Sequence, residues 1–192
     1  MGIGFLFAPF LHGAMKHAAG VRKELGFRTL FNLLGPLTNP ARANRQVIGV
    51  FDAMWVSPLA EVLKELGCEH GFVVHGKDKM DEITLTDETW VSEVVAGKVK
   101  KYSIQPEDFG LSRCRLEELA GGGPEDNAAM VRGILSGDSG PKSDIVCMNA
   151  AAAIAASGKA RSLKEGFDLA RQSIATWAAK RKLEDLCLAS NS

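Results

Sequence analysis

The stretch RQVIGVFDAMWVSPLAEVLKELGCEHGFVVHG, residues 45–76, decides the fold. Its opening run, Arg45–Phe51, is rich in Val and Ile and reads as a strand. A helix follows. Ser57 offers an N-cap oxygen and Pro58 suits the first helical position. Leu59, Val62, Leu63 and Leu66 form one apolar stripe, and Gly67 stops the helix. Gly71–Gly76 is then a second, largely buried strand. Strand, helix and strand in this order make a βαβ unit, which favours parallel pairing in a sheet covered on both faces.

Toward the C-terminus a polar loop, KDKMDE (77–82), precedes ITLTDETWVSEVVAGKVKKYSI (83–104). The latter alternates residue types around a Gly97-Lys98 turn, which predicts short strands in a hairpin. Residues 106–137 place acidic groups at helix starts and Gly at stops, and predict helices. Within them AGGGPEDN (120–127) lacks both the G-x-G-x-x-G and the G-x-x-x-x-G-K-[ST] pattern, so it reads as a connector into a helix started by Pro124. Asp144–Gly158 is dense in small residues and predicts a helix that packs very closely on its neighbours. Residues 162–186 predict one amphipathic closing helix, with Leu163, Phe167, Leu169, Ala170, Ile174 and Trp177 on its apolar side. Toward the N-terminus, Phe10, Leu11, Ala14, Met15 and Ala18 recur at helical spacing after Pro9. Gly26 is a natural stop, and GPLTNP (35–40) reads as a rigid turn out of a helix. No repeat or low-complexity linker interrupts the chain, so residues 1–192 are expected to form a single α/β domain.

Composition narrows the function. At 192 residues, with 46% hydrophobic and 24% charged, the chain can bury a real core and is not a disordered tail. Lys plus Arg and Asp plus Glu both number 23, and this neutrality argues against an electrostatic nucleic-acid binder. No apolar run reaches the roughly 20 residues of a membrane span, and the apolar start lacks a basic region before it. Cys68, Cys114, Cys147 and Cys187 are scattered without a C-x-x-C pair, which fits reduced thiols in the cytoplasm rather than a disulfide frame or zinc site.

Two clusters could carry chemistry. His12, Lys16, His17, Arg22, Lys23 and Arg28 outnumber Glu24 in a short span and suit a small anionic ligand, although on spacing alone such a run is more often a solvated basic helix face. Asp81-Glu82 sets two hard oxygen ligands just after a buried strand, where α/β sheets place ligands. Mg²⁺ needs only one or two carboxylates besides substrate phosphates, although an isolated acidic dipeptide balanced by Lys77 and Lys79 is more often a solvated turn. No nucleophile elbow or metal-ligand series is present.

Three separated segments combine into something more specific. Residues 2–41, GIGFLFAPFLHGAMKHAAGVRKELGFRTLFNLLGPLTNPA, then DEITLTDETWV (81–91), then DIVCMNAAAAIAASGKA (144–160), resemble the anthranilate phosphoribosyltransferase family, and the similarity extends over essentially the whole chain. The resemblance implies transfer of a phosphoribosyl group from phosphoribosyl pyrophosphate to the amine of anthranilate, with release of pyrophosphate. It also implies Mg²⁺, a homodimer, and an α/β fold with a central mixed or mostly parallel sheet and flanking helices, as in the nucleoside phosphorylase/phosphoribosyltransferase fold. By the same resemblance Arg22 contacts the anthranilate carboxylate, His12 and Pro36 line the anthranilate path, and Asp81 and Glu82 hold Mg²⁺ against the pyrophosphate. No protein nucleophile is expected, because the substrate supplies the amine.

The chain departs from the family in length. The G-T-G-G-D and K-H-G-N segments that precede GIGFLFAP in the family do not occur here, so the fold is expected to be incomplete at its N-terminal side and the chain alone inactive. His12-Gly13 replaces a frequent His-Pro. The alternatives are a non-catalytic, nucleic-acid- or partner-binding relative of the same fold, and a pyrimidine nucleoside phosphorylase. Neutral charge counts against the first, and the HGAMK and FNLLGPLTNP segments count against the second.

Overall fold

Strand β1 (Arg45–Gly49) pairs in parallel with β2 (His70–Gly76), with Arg45 opposite His70 and Gly49 opposite Val74. The computed structural model describes residues 2–6, 31–39 and 41–191. They fall into two compact units, Met1–Ala43 and Asn44–Ser192. The helical readings over Phe10–Ala18 and at Gly26 lie outside the described residues.

In the first unit helix α1 spans Phe31–Leu37 and contains Pro36, where a rigid turn was expected from Gly35 onward. Proline removes only one i→i−4 hydrogen bond here, close to the helix end. Thr38 closes that end, its N–H donating to the carbonyls of Leu34 and Gly35 and its hydroxyl to Leu34 at 3.0 Å.

The second unit holds a four-stranded sheet in the order β1-β2-β3-β4. Antiparallel β3 (Thr89–Val95) and β4 (Lys98–Ile104) complete it as the expected hairpin, so the sheet is mixed. Ala96 and Gly97, at φ 50° and 71°, form the connecting turn, one residue before the Gly97-Lys98 turn read from the sequence, and residues 83–88 of the expected strand stretch are loop. Positive φ at both positions matches the right-handed twist of the flanking strands.

Helix α2 (Val56–Glu65) joins β1 to β2 but starts ahead of the Ser57 cap read from the sequence. The Asp52 carboxylate accepts the Met54 N–H and turns the chain into a 3₁₀ turn at Ala53–Trp55, from which the helix continues. Pro58 becomes the third helical residue, still in the turn whose N–H groups have no intrahelical partner. Leu59 and Leu63 of the expected stripe are buried, joined by Val56 and Ala60, while Val62 and Leu66 are exposed. Gly67 stops the helix at φ 80°, as expected.

Helix α2 packs on β2, β3 and β4. Beyond the hairpin the expected helices over 106–119 are only 3₁₀ turns, Pro106–Phe109 and Leu116–Leu119, before α3 (Pro124–Leu135) starts at Pro124 as read. Helix α4 (Pro141–Ala156) contacts β1 and β2 and buries Met148, Ala151 and Ala152 against Phe72 and Val74. Helix α5 (Leu163–Ala175) lies against α4 and adds Phe167 to the same core. A Cβ on Gly166 would fall 2.5 Å from the Ala151 carbonyl oxygen, so the small-residue helices meet at backbone contact.

The single closing helix of the sequence reading is two, α5 and α6 (Ala178–Ser190). Trp177, at φ 62°, separates them and is exposed rather than part of the apolar face. The Thr176 hydroxyl donates to the Gln172 carbonyl and the Trp177 N–H to the Ile174 carbonyl, which closes α5 at that point. Among the described residues no helix is long and apolar enough to cross a membrane.

Candidate functional site

The carboxyl ends of the parallel β1 and β2 open onto the loop from Lys77 to Glu88, the position at which open α/β sheets place ligands. Strand β2 reaches it through His75, whose buried ring is hydrogen-bonded at Nδ1 to the Val50 carbonyl at 2.6 Å and stacks on Trp90, 6.0 Å between centroids. The loop then doubles back. Lys79 N–H donates to the Gly76 carbonyl at 2.8 Å, and Gly76 N–H to the Met80 carbonyl at 2.9 Å.

Asp78 knits this turn. One carboxylate oxygen accepts the Met80 N–H at 3.1 Å, and the other accepts the hydroxyls of Thr84 and Thr86 at 2.5 Å each. The Thr84 N–H in turn donates to Thr89 Oγ1 at 3.0 Å, which ties the loop to the first residue of β3. From the opposite side, Asn149 of α4 clamps Ile83. Its Oδ1 accepts the Ile83 N–H at 2.9 Å, and its Nδ2 donates to the Ile83 carbonyl at 2.8 Å.

Asp81 and Glu82 sit between these two anchors. The Asp81 backbone rests on Gly49 at the end of β1, where an added Cβ would fall 1.5 Å from the Asp81 carbonyl oxygen. No side chain larger than hydrogen fits there. Asp81 is exposed and Glu82 half-buried. Burial pushes the Glu82 carboxyl above its ordinary range, and the negative charges of Asp81 and Asp78 push it further. The balance by Lys77 and Lys79 does not materialise as ion pairs. Lys77 pairs with Glu88, and no ion pair reaches Asp81 or Glu82 among the described residues.

The chemistry of this donor set is that of a hard cation. No group of three or more metal-ligating side chains occurs among the described residues, so the acidic pair can offer two carboxylates and no closed cage. That matches Mg²⁺, which keeps waters and takes substrate phosphates as further ligands.

The structure thus brings Asp81 and Glu82 together on a held loop. Pro36 is exposed near the end of α1 in the other unit, and His12 and Arg22 lie outside the described residues. Reading the sequence alone missed Asp78, Thr84, Thr86, Asn149 and Gly49. Two of these left a signal. Asp78 precedes Met80 by two residues, the spacing of an Asx turn. Asn149 is an amide inside an alanine-rich helix, where a polar side chain needs a partner.

Residues 1–180 match the family described as "Glycosyl transferase family, a/b domain". The chain is 56% identical over 185 residues to the anthranilate phosphoribosyltransferase of Syntrophotalea carbinolica, covering 96% of this chain and 53% of the relative. It is 55% identical over 191 residues to that of Geobacter sulfurreducens, covering 100% and 55%. Among solved structures it is similar to anthranilate phosphoribosyltransferase from Thermus thermophilus, with TM-score 0.88 and 51% identity over 95% of this chain and 54% of the other. It is also similar to the Saccharomyces cerevisiae enzyme in complex with PRPP and Mg, with TM-score 0.86 and 33% identity over 95% and 53%. The chain spans about half the length of the curated relatives it matches.

Proposed function

The chain belongs to the glycosyl transferase family through its a/b domain, and we propose that it serves transfer of the phosphoribosyl group from phosphoribosyl pyrophosphate to anthranilate. The products are N-(5-phosphoribosyl)anthranilate and pyrophosphate, a step of tryptophan biosynthesis. The observation that carries the reading is the acidic pair, fixed by Asp78 and Asn149 at the carboxyl end of the parallel strands, in a chain similar along its whole length to enzymes of this activity.

The hard step is departure of a highly charged pyrophosphate as positive charge develops on the ribose carbon. Mg²⁺, when bound, would neutralise charge on that leaving group. Asp81 and Glu82 would hold it. Arg22 would take the anthranilate carboxylate in a planar, bidentate fork and aim the amine at the ribose, with His12 and Pro36 along its path. No side chain needs to act as nucleophile. The four cysteines form no disulfide, consistent with a reducing, cytoplasmic setting, and a homodimer completes the proposal.

Anthranilate fluorescence tests this reading, followed with phosphoribosyl pyrophosphate and Mg²⁺. The chain is supplied with the remaining length of the Geobacter sulfurreducens relative as a chimera. The signal is expected to fall with time. Unchanged fluorescence in a folded preparation, or phosphorolysis of thymidine or uridine instead, would overturn it.

A further inference from the structure

We propose that Asn149 is a positioning residue for the acidic pair, and that its clamp on Ile83 sets how tightly Asp81 and Glu82 bind a divalent cation. The inference rests on the cation role proposed for that pair.

Neighbouring residues on an extended chain point to opposite faces. Two adjacent carboxylates can share one cation only where the backbone is bent and held bent. The chain does bend at Asp81 and Glu82. Ile83, the next residue, is 1% exposed, and both of its peptide groups end on the one Asn149 side chain. A donor and an acceptor on the same amide fix both peptide planes flanking the Ile83 Cα, and with them the direction in which Glu82 leaves the core. Asn149 is itself held by donating to the Ile145 carbonyl at 3.1 Å within α4. The loop's orientation is therefore referred to a helix that packs in the core of the unit.

Asp78 anchors the other side through Thr84 and Thr86, but it carries a charge of its own. Asn149 is neutral. A change in cation affinity on replacing it reports orientation and not lost charge. Groups that orient metal ligands without touching the metal change affinity by about tenfold or more when removed.

The test titrates the full chain with Mn²⁺ alone and follows disappearance of the free-ion electron paramagnetic resonance signal. The double variant Asp81→Asn with Glu82→Gln should lose the site; if it binds as wild type does, the cation reading and this inference both fall. With that established, Asn149→Ala is expected to bind about tenfold more weakly. Phe167→Leu is the control for general loosening, since it opens a cavity in the same core without touching the clamp, and its affinity should equal wild type. Asn149→Ser is the second variant, neutral and too short to bridge both Ile83 peptide groups, and should weaken binding severalfold even if Asn149→Ala does not fold. Wild-type affinity in a folded Asn149→Ala or Asn149→Ser, or an equal loss in Phe167→Leu, would overturn the proposal while leaving the cation reading intact.

Discussion

A single methyl group decides much at Gly49. Strand β1 and the acidic loop touch there backbone to backbone, and Gly49→Ala would drive a Cβ into the Asp81 carbonyl. Overpacking of this kind typically costs about 1–3 kcal/mol. The variant is expected to melt lower and to lose Mn²⁺ binding, because relief of the clash moves Asp81; thermal unfolding and the resonance titration check both. Tyr102 makes a second residue-scale prediction. Its hydroxyl donates to Glu93 Oε2 at 3.2 Å, and the other Glu93 oxygen meets His70 Nε2 at 2.9 Å. Burial first, then the Glu93 charge and hydrogen bond, push the phenol far above its usual value of 10.0. The folded state therefore holds this proton more tightly than the unfolded chain does. Stability from this group is complete below the usual phenol value and falls as pH rises beyond it. Tyr102 is the one tyrosine of the chain, so the near-ultraviolet tyrosinate absorbance isolates it. That absorbance should rise only together with unfolding; tyrosinate at the ordinary value in a folded chain would contradict the account.

Elements differ in how far the sequence foretells them. The Ala96-Gly97 turn of the hairpin places Ala96 at φ 50°, where Asn is better tolerated. Ala96→Asn is expected to stabilise by about 1 kcal/mol and to raise the melting temperature by roughly 2–4 °C; a lower melting temperature would contradict this turn geometry. The hairpin, β1 and β2 were legible because a period of two residues and a Gly-containing turn leave few other readings. Helix α2 was legible as a helix, and its buried stripe in part. The Asp52 cap that starts it lies outside the apolar pattern; Leu59 and Leu63 are buried as read, whereas Val56 and Ala60, and not Val62 and Leu66, complete the buried face. The break between α5 and α6 was hidden because apolar spacing continues to Trp177, and no Gly or Pro marks the site. At the site, Asp81 and Glu82 were readable as a dipeptide after a buried strand. What holds them was not, since Asn149 stands 66 residues from Ile83 and only packing of α4 brings it there.

For the molecule as a whole, the sheet, the helices on both of its faces and the acidic loop all belong to Asn44–Ser192. Residues 44–192 expressed alone are therefore expected to unfold in one cooperative transition and to bind Mn²⁺; a non-cooperative transition would contradict that division. Cysteine chemistry gives a second global probe. Cys187 is exposed, whereas Cys68 and Cys147 are buried with thiols pushed above their usual range by burial. Cys187 should react first with a thiol reagent on the native protein, and equal rates would mean that the core opens readily. We propose that the backbone-held acidic pair at the carboxyl end of a parallel strand serves phosphoribosyl transfer to anthranilate. The most direct test is anthranilate consumption as a function of Mg²⁺ in the chimera described above, with and without Asp81→Asn and Glu82→Gln together. Consumption is expected to depend on Mg²⁺ and to fall by about a hundredfold in the double variant. Equal consumption by the variant at every Mg²⁺ concentration would contradict it.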